Sequence, residues 1–438
     1  MKQVLFALCC VAWMCIGVAA QEVDSQLMTY IDSIKAIDNH AHVVAPDMAH
    51  DQNYDALLCE ILPASPNGLG PANARFGPDV QAAWKALYGV VADSDSPENL
   101  KKIETAQNAV RAKQGAAYFD WVLTQAGFDV VLANRVSMAP QLDSRHFRWV
   151  PYDDALLFPL DNTRGKAKTP DRKVLFKSEE AHLKAYLAEA GAQAPPATLD
   201  AYLDKVVLPT LQSQKKNGAV AIKFEVAYLR SLNFETGAEA DASKIYSRYA
   251  AGGIPEDVEY RTLQDYLFHY IAEKAGELGL AVHIHTGQGC GEYFDDRGSD
   301  PMLLDSLLND TTLRKTNFVL LHGGSPFERH NTALIVKPNV WVDTSVLELL
   351  YSPAEFARIL RPWLEMMPEH VIFGTDAGPF GPGFGWEETT WAASRNARRA
   401  LGIVLTQMMR DGVITPARAK EVADRVLRKN AAELYKIE

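Results

Sequence analysis

His40 and His42 stand two residues apart at the end of a short apolar run, so in an extended strand both imidazoles point to the same side of the chain. Two imidazoles placed that way can meet one metal ion. Further along, His283-Ile284-His285-Thr286-Gly287, Leu320-Leu321-His322-Gly323-Gly324 and Phe373-Gly374-Thr375-Asp376-Ala377-Gly378 each put a metal-ligating side chain where an apolar, β-branched run gives out. Five of the eleven histidines fall at such run ends, and that clustering separates a site from histidines scattered through a core. Neutral imidazoles with a carboxylate suit a divalent ion, zinc first among the candidates, with a position left open for water. One ion or two would satisfy the set. The chemistry such a site performs is activation of a water nucleophile near neutral pH.

These residues need a scaffold that gathers strand ends. Eight apolar runs recur, approximately Ala36–Val43, Asp129–Asn134, Arg148–Leu160, Ala219–Val226, Ala281–His285, Phe318–His322, Val340–Asp343 and Val371–Asp376. Helix-like stretches such as Leu263–Leu278, Pro353–Glu365 and Trp391–Met409 lie between them. Strand and helix in alternation indicate a parallel sheet, and eight such units in this length predict an α/β fold, a (β/α)8 TIM barrel with its site at the C-terminal strand ends. An open doubly wound sheet is the alternative, but it finds no glycine fingerprint or phosphate loop in its support. The segments at about 44–125 and 161–217 are too long for simple connections. They are expected to be helical insertions after strands one and three that overhang the barrel mouth.

Strand parity refines the candidates. In Ala219–Phe224 the large apolar Val220, Ile222 and Phe224 are expected to face the helices, and Lys223 the interior. The same test sets His322 inward with Leu320, and Asp376 inward with Ile372. His283 and His285 share a parity; His285, nearer the strand's end, is taken as the ligand and His283 as its support.

The chain has 438 residues, 47% hydrophobic and 23% charged, with a formal net charge of -11. Its first twenty residues have the pattern of a secretory signal: Lys2, an apolar run from Val4 to Val18 broken only by Gly17, and Val18-Ala19-Ala20 before Gln21. The run falls short of the ~20 residues that a membrane span needs. Cleavage after Ala20 would remove one lysine and no acid, leaving -12 and a mature barrel domain over 21–438. So acidic a protein is a poor nucleic-acid binder. A small-molecule substrate, no membrane insertion after signal removal and a secreted or periplasmic location are expected, and a homo-oligomer stays open. Cys59 and Cys290, the two cysteines beyond the signal, could pair in an oxidising compartment.

With these residues in place the chain resembles the amidohydrolase superfamily, whose metal site uses His-x-His on strand one, histidines on strands five and six, and aspartate on strand eight. The stretches Ile222–Phe234, Ile284–Gly289, Val319–Gly323 and Val371–Asp376 are similar, more narrowly, to the amidohydrolase domain fused to a glutamine-synthetase-like domain in some fungal and plant proteins. The likeness runs from about residue 36 to the closing Asn430–Tyr435. It implies His40, His42, His285 and Asp376 as metal ligands, with His322 either a ligand or the residue that orients the water. The mechanism expected of such a site has Asp376 as general base, taking the proton of the activated water and delivering it to the leaving group. Lys223 is either a carboxylated bridge between two ions or an ammonium that contacts substrate. If Lys223 and Arg230 reach the mouth they favour a carboxylate-bearing substrate, with Arg135 a weaker candidate; each arginine could equally brace a loop. The expected activity is metal-dependent hydrolysis of an amide, ester or lactone. Non-oxidative decarboxylation, as in aminocarboxymuconate-semialdehyde decarboxylase, shares the ligand set, and a non-catalytic metal-bearing binding protein is the reading from a different class.

Overall fold

The computed structural model describes residues 23–45, 77–94, 96–138, 142–381 and 383–437. The first twenty residues, expected to be a signal, and Cys59 lie outside them. The eight strands occur in the expected order: β1 Ala36–Ala41, β2 Phe128–Asn134, β3 Phe147–Val150, β4 Ala221–Phe224, β5 Ala281–His285, β6 Phe318–Leu321, β7 Val340–Asp343 and β8 Val371–Ile372. All pairings are parallel, within one sheet of β1-β2-β3 and another of β4 to β8. Parallel bridges close the two sheets into a barrel. Trp149 pairs with Ala219 and Tyr152 with Lys223 on one side, and Ala41 pairs with Ala377 on the other.

Side-chain alternation sorts the barrel into an inner and an outer layer. Ile37, Val130, Leu132, Val150, Ala221, Ala281 and Ile372 pack together inside, with Tyr435 against them. Ile222, Phe224, Val282, Ile284, Phe318 and Leu320 pack outward with Leu263, Leu267 and Phe268 of the helix Asp257–Glu277. The closing motif plugs the barrel floor: Tyr435 Oη lies 2.7 Å from His283 Nε2 and donates to Asn39 Oδ1, while Asn430 Nδ2 donates to Val371 O at 2.8 Å.

Two expectations need correction. The third strand is not Arg148–Leu160 but only Phe147–Val150, because Pro151 has no N–H for the ladder and Asp154–Leu157 turns as a 3₁₀ helix. Leu320 faces the helices rather than the interior, so strict alternation would have carried His322 outward. His322 instead has φ +64, a left-handed turn that swings its ring into the mouth. Val346 (φ +65) and Asp376 (φ +55) repeat this after β7 and β8. Left-handed backbone costs a non-glycine residue about 1–3 kcal/mol, and such strain concentrates where geometry serves a site.

The two long segments are helical where described. The first contributes Pro78–Tyr88 and Pro97–Gln114, which lean on the 25-residue helix Trp386–Arg410 through Arg111–Glu387 at 2.8 Å. The second contributes Pro170–Glu189, whose Asp171 accepts from Tyr293 N at 2.9 Å and whose Tyr186 donates to Tyr152 O. No helix among the described residues is long and apolar enough to cross a membrane.

Candidate active site

β1, β6 and β8 deliver three side chains to one point. Among the described residues, His40, His322 and Asp376 form one group whose ligand atoms all lie within 4.8 Å of one another. His40 Nε2 and His42 Nε2 converge on the same oxygen, Asp376 Oδ1, at 3.0 and 3.2 Å. The other oxygen, Oδ2, is 3.9 Å from His322 Nδ1. His285 lies beside them, its ring 4.5 Å from that of His322, and its Nε2 is buried without a hydrogen-bond partner. A buried ring nitrogen left unpaired costs about 1–3 kcal/mol unless something else binds it.

Burial, followed by the neighbouring Lys223, pushes the His40 pKa down to about 3. Burial likewise holds His285 and His322 well below the usual histidine range. Burial works to raise Asp376, but His322, His40 and His42 beside it hold the carboxyl well below its ordinary value. At neutral pH His40, His285 and His322 are therefore neutral imidazoles beside an ionised carboxylate, the protonation states that a metal requires of its ligands.

A supporting layer surrounds these groups. Asn134, the last residue of β2, puts Nδ2 2.7 Å from His40 Nδ1 and leaves its own Oδ1 buried and unpaired. Turning that amide sets Oδ1 against an Nδ1–H, which satisfies the orphan and frees the Nε2 lone pair for a metal. On the far side, Ser345 Oγ donates to Asp343 Oδ1, so its lone pair receives Nδ1–H of His322 at 3.0 Å and turns the Nε2 lone pair away. Asn39 Nδ2 holds the other Asp343 oxygen at 2.8 Å. Gly374 permits this approach, because a Cβ there would collide with Asp343 Oδ2. The Asn134→Leu variant is expected to fold yet bind metal about 10–100-fold more weakly, as loss of a ligand-orienting partner does elsewhere. Competition against a chelator of known affinity measures it.

An amidohydrolase family model matches residues 217–437, half of the chain. The chain belongs to the amidohydrolase family. Protein fluG of Emericella nidulans is 28% identical over 229 residues, a stretch that makes up 50% of this chain and 26% of fluG. The chain thus spans about a quarter of that relative's length. Among solved structures, a Lactobacillus casei protein described as a metal-dependent hydrolase superposes with TM-score 0.60 at 17% identity, over 95% of this chain and 98% of that one. The uronate isomerase of Thermotoga maritima gives 0.59 at 14% identity, over 94% and 96%. These superpositions show the shared barrel.

Within this amidohydrolase, Lys223 reaches the interior as expected and is wholly buried, its Nζ 3.4 Å from His40 Nε2 and 3.4 Å from Glu225 Oε1. The two arginines considered for substrate are spent on the framework. Arg230 gives NH2 to Asp265 Oδ1 at 2.7 Å and to Asn233 O at 2.8 Å, and NH1 to Gln264 Oε1 at 3.2 Å. Arg135 is buried and donates to Val43 O at 2.6 Å and Ser137 O at 3.0 Å, stitching the ends of β1 and β2 together. A guanidinium has five donors to satisfy, and backbone carbonyls at strand ends are the nearest acceptors. His283 sits one layer below the mouth, bonded to Tyr435. Around the rim, Tyr152 Oη lies 3.3 Å from His42 Nδ1, and the Tyr228 ring packs 4.8 Å from that of His285. Asn134, Asp343, Ser345 and Glu225 were not among the candidates. Their signal was polarity at the ends of strands two, four and seven. Cys290 is disulfide-bonded; its expected partner, Cys59, is outside the described residues.

Proposed function

We propose that this amidohydrolase is a hydrolase holding one divalent metal ion, zinc by its donor chemistry, between His40, His42, His285 and Asp376. The observation that carries the reading is the convergence of two Nε2 atoms on one Asp376 oxygen beside the unpaired buried Nε2 of His285. A bound ion supplies a Lewis acid that makes water a competent nucleophile at neutral pH. Asp376 takes the proton of that water as the water oxygen bonds to an amide, ester or lactone carbonyl carbon. It returns the proton to the departing nitrogen or oxygen as that bond breaks. His322, held through Ser345 and Asp343, steadies the water or polarises the carbonyl.

Lys223 acts as an ammonium in this reading. Carboxylation would replace its positive charge with a negative one close to Glu225, whose Oε1 lies 3.4 Å from Nζ, turning attraction into repulsion in a poorly solvated site. The metal-replete protein is therefore expected to carry close to one equivalent of metal and to show no carbamate carbon after growth in ¹³C-bicarbonate. Two equivalents with a carbamate resonance would reverse the assignment. With Arg135 and Arg230 engaged elsewhere, preference for a substrate carboxylate rests on Lys223 alone.

The test of the reaction is a screen of metal-replete protein against N-acyl amino acids, dipeptides, lactones and aromatic carboxylates in ¹⁸O-water. Solvent oxygen in the product marks hydrolysis; release of carbon dioxide without it marks the decarboxylase alternative. We further propose export, supported by the Lys2–Ala20 pattern, and a small-molecule substrate, supported by the acidic net charge.

A further inference from the structure

The second insertion opens with a basic run, Arg164, Lys166, Lys168, Arg172 and Lys173, that has no part in the metal centre. The structure places it on a cavity of about 180 Å³ between the second insertion, the segment after β4 and the start of the helix Asp257–Glu277. Arg164, Lys168, Arg172, Arg230 and Arg261 all line it, and none of the candidate metal ligands does.

The charges divide into spent and unspent. Arg164 pairs with Glu256, Lys168 with Asp257 at 3.0 Å, and Arg230 with Asp265 at 2.7 Å. Arg172 uses only Nε, on Tyr228 O at 3.3 Å. Its two terminal nitrogens, and the whole guanidinium of Arg261, have no hydrogen-bond or ion-pair partner among the described residues. The acids on the cavity wall do not fill this gap. Asp161 accepts from Thr163 N at 2.7 Å, and Asp295 accepts from Gly298 N at 3.2 Å without an ion pair to either arginine. Arg172 is partly buried, and that burial pushes its pKa down from the usual arginine value, against the pull of Asp295 and Asp257. Two planar forks on one cavity, neither hydrogen-bonded nor ion-paired to a carboxylate, suit an oxyanion, which each can grip with paired N–H donors.

We propose that this cavity is a second binding site, separate from the metal centre, for a small oxyanion carrying two or more negative charges. Arg172 and Arg261 are its gripping residues. Arg172 also touches the metal centre's surroundings, because it bonds Tyr228 O while the Tyr228 ring packs on His285.

Inorganic phosphate and citrate serve as probes, in calorimetric titrations at constant ionic strength. At least one is expected to bind saturably, with half-saturation at or below about 1 mM. Arg172→Gln and Arg261→Gln should each weaken binding about tenfold or more, the loss typical of a charged hydrogen bond. Arg261 is exposed, so its variant tests the cavity even if Arg172→Gln fails to fold. The double variant His40→Ala/His42→Ala should bind the probe as the parent does, whatever reaction the metal centre performs. Binding by phosphate alone assigns a phosphate-type ligand, and binding by citrate alone a polycarboxylate; either supports the site. Absence of saturation with both probes, unchanged binding in Arg261→Gln, or loss of binding in the histidine variant would each overturn the proposal.

Discussion

Asp376→Asn is expected to fold, to keep most of its metal and to lose turnover by several orders of magnitude. Asparagine tolerates the left-handed backbone that Asp376 adopts at φ +55 better than almost any other replacement, so the loop after β8 has no reason to move. One side-chain oxygen also remains to stand where Oδ1 now meets His40 and His42. What asparagine cannot do is accept a proton at neutral pH. Loss of a general base typically costs ~10²–10⁴ in rate, and the exchange of an anion for a neutral amide beside the attacking water adds to that. Metal analysis, thermal denaturation and kcat on the substrate found by the screen together read the outcome. Near-full activity would make Asp376 a ligand only, and the proton would then have to pass to His322.

Why that residue was visible in the sequence, and its supports were not, has a physical reason. His40, His42, His285, His322 and Asp376 announce themselves because imidazole and carboxylate at the end of an apolar strand are costly unless they bind something. Their scaffold was legible because eight parallel strands, buried on both faces, must be written as apolar runs. Alternation then predicts correctly for as long as a strand lasts: Lys223 lies inside and Phe224 outside, in a strand that pairs on both edges. It fails when carried across a strand end: β6 ends at Leu321 and a dihedral angle aims the next ring, so His322 faces the mouth although Leu320, two residues before it, faces the helices. Composition carries no trace of that angle.

The arginines mark a second limit. Arg135 and Arg230 follow β2 and β4, where a substrate contact and a structural brace look identical in sequence; only the positions of Val43 O and Asp265 decide between them. Ser345 and Asp343 were missed for the converse reason. Serine and aspartate after a strand are ordinary turn residues, and their role appears only when the His322 ring is seen to rest on them.

His40→Ala and His42→Ala should fail in a different way from Asp376→Asn, losing metal and activity together. Each removes an Nε2 that converges on the site and leaves a cavity that water can enter. A metal ion with one of its four protein ligands gone is held more weakly, and neutral water replaces imidazole poorly. The two variants should also differ from each other. His40 is fully buried and held by Asn134, with Lys223 against its ring, whereas the His42 side chain is 14% exposed and meets Tyr152 at the rim. Truncating His40 therefore strips Asn134 and Lys223 of a partner inside the barrel, where an unsatisfied group costs about 1–3 kcal/mol. His40→Ala is expected to lower the melting temperature of the metal-free protein, and His42→Ala to leave it nearly unchanged. Both should fall to background in bound metal by elemental analysis, and added zinc at high concentration should restore His42→Ala before His40→Ala. Retention of a full metal equivalent in either variant would remove that histidine from the ligand set. Equal melting temperatures for the two metal-free variants would show that Asn134 and Lys223 find other partners once His40 is gone.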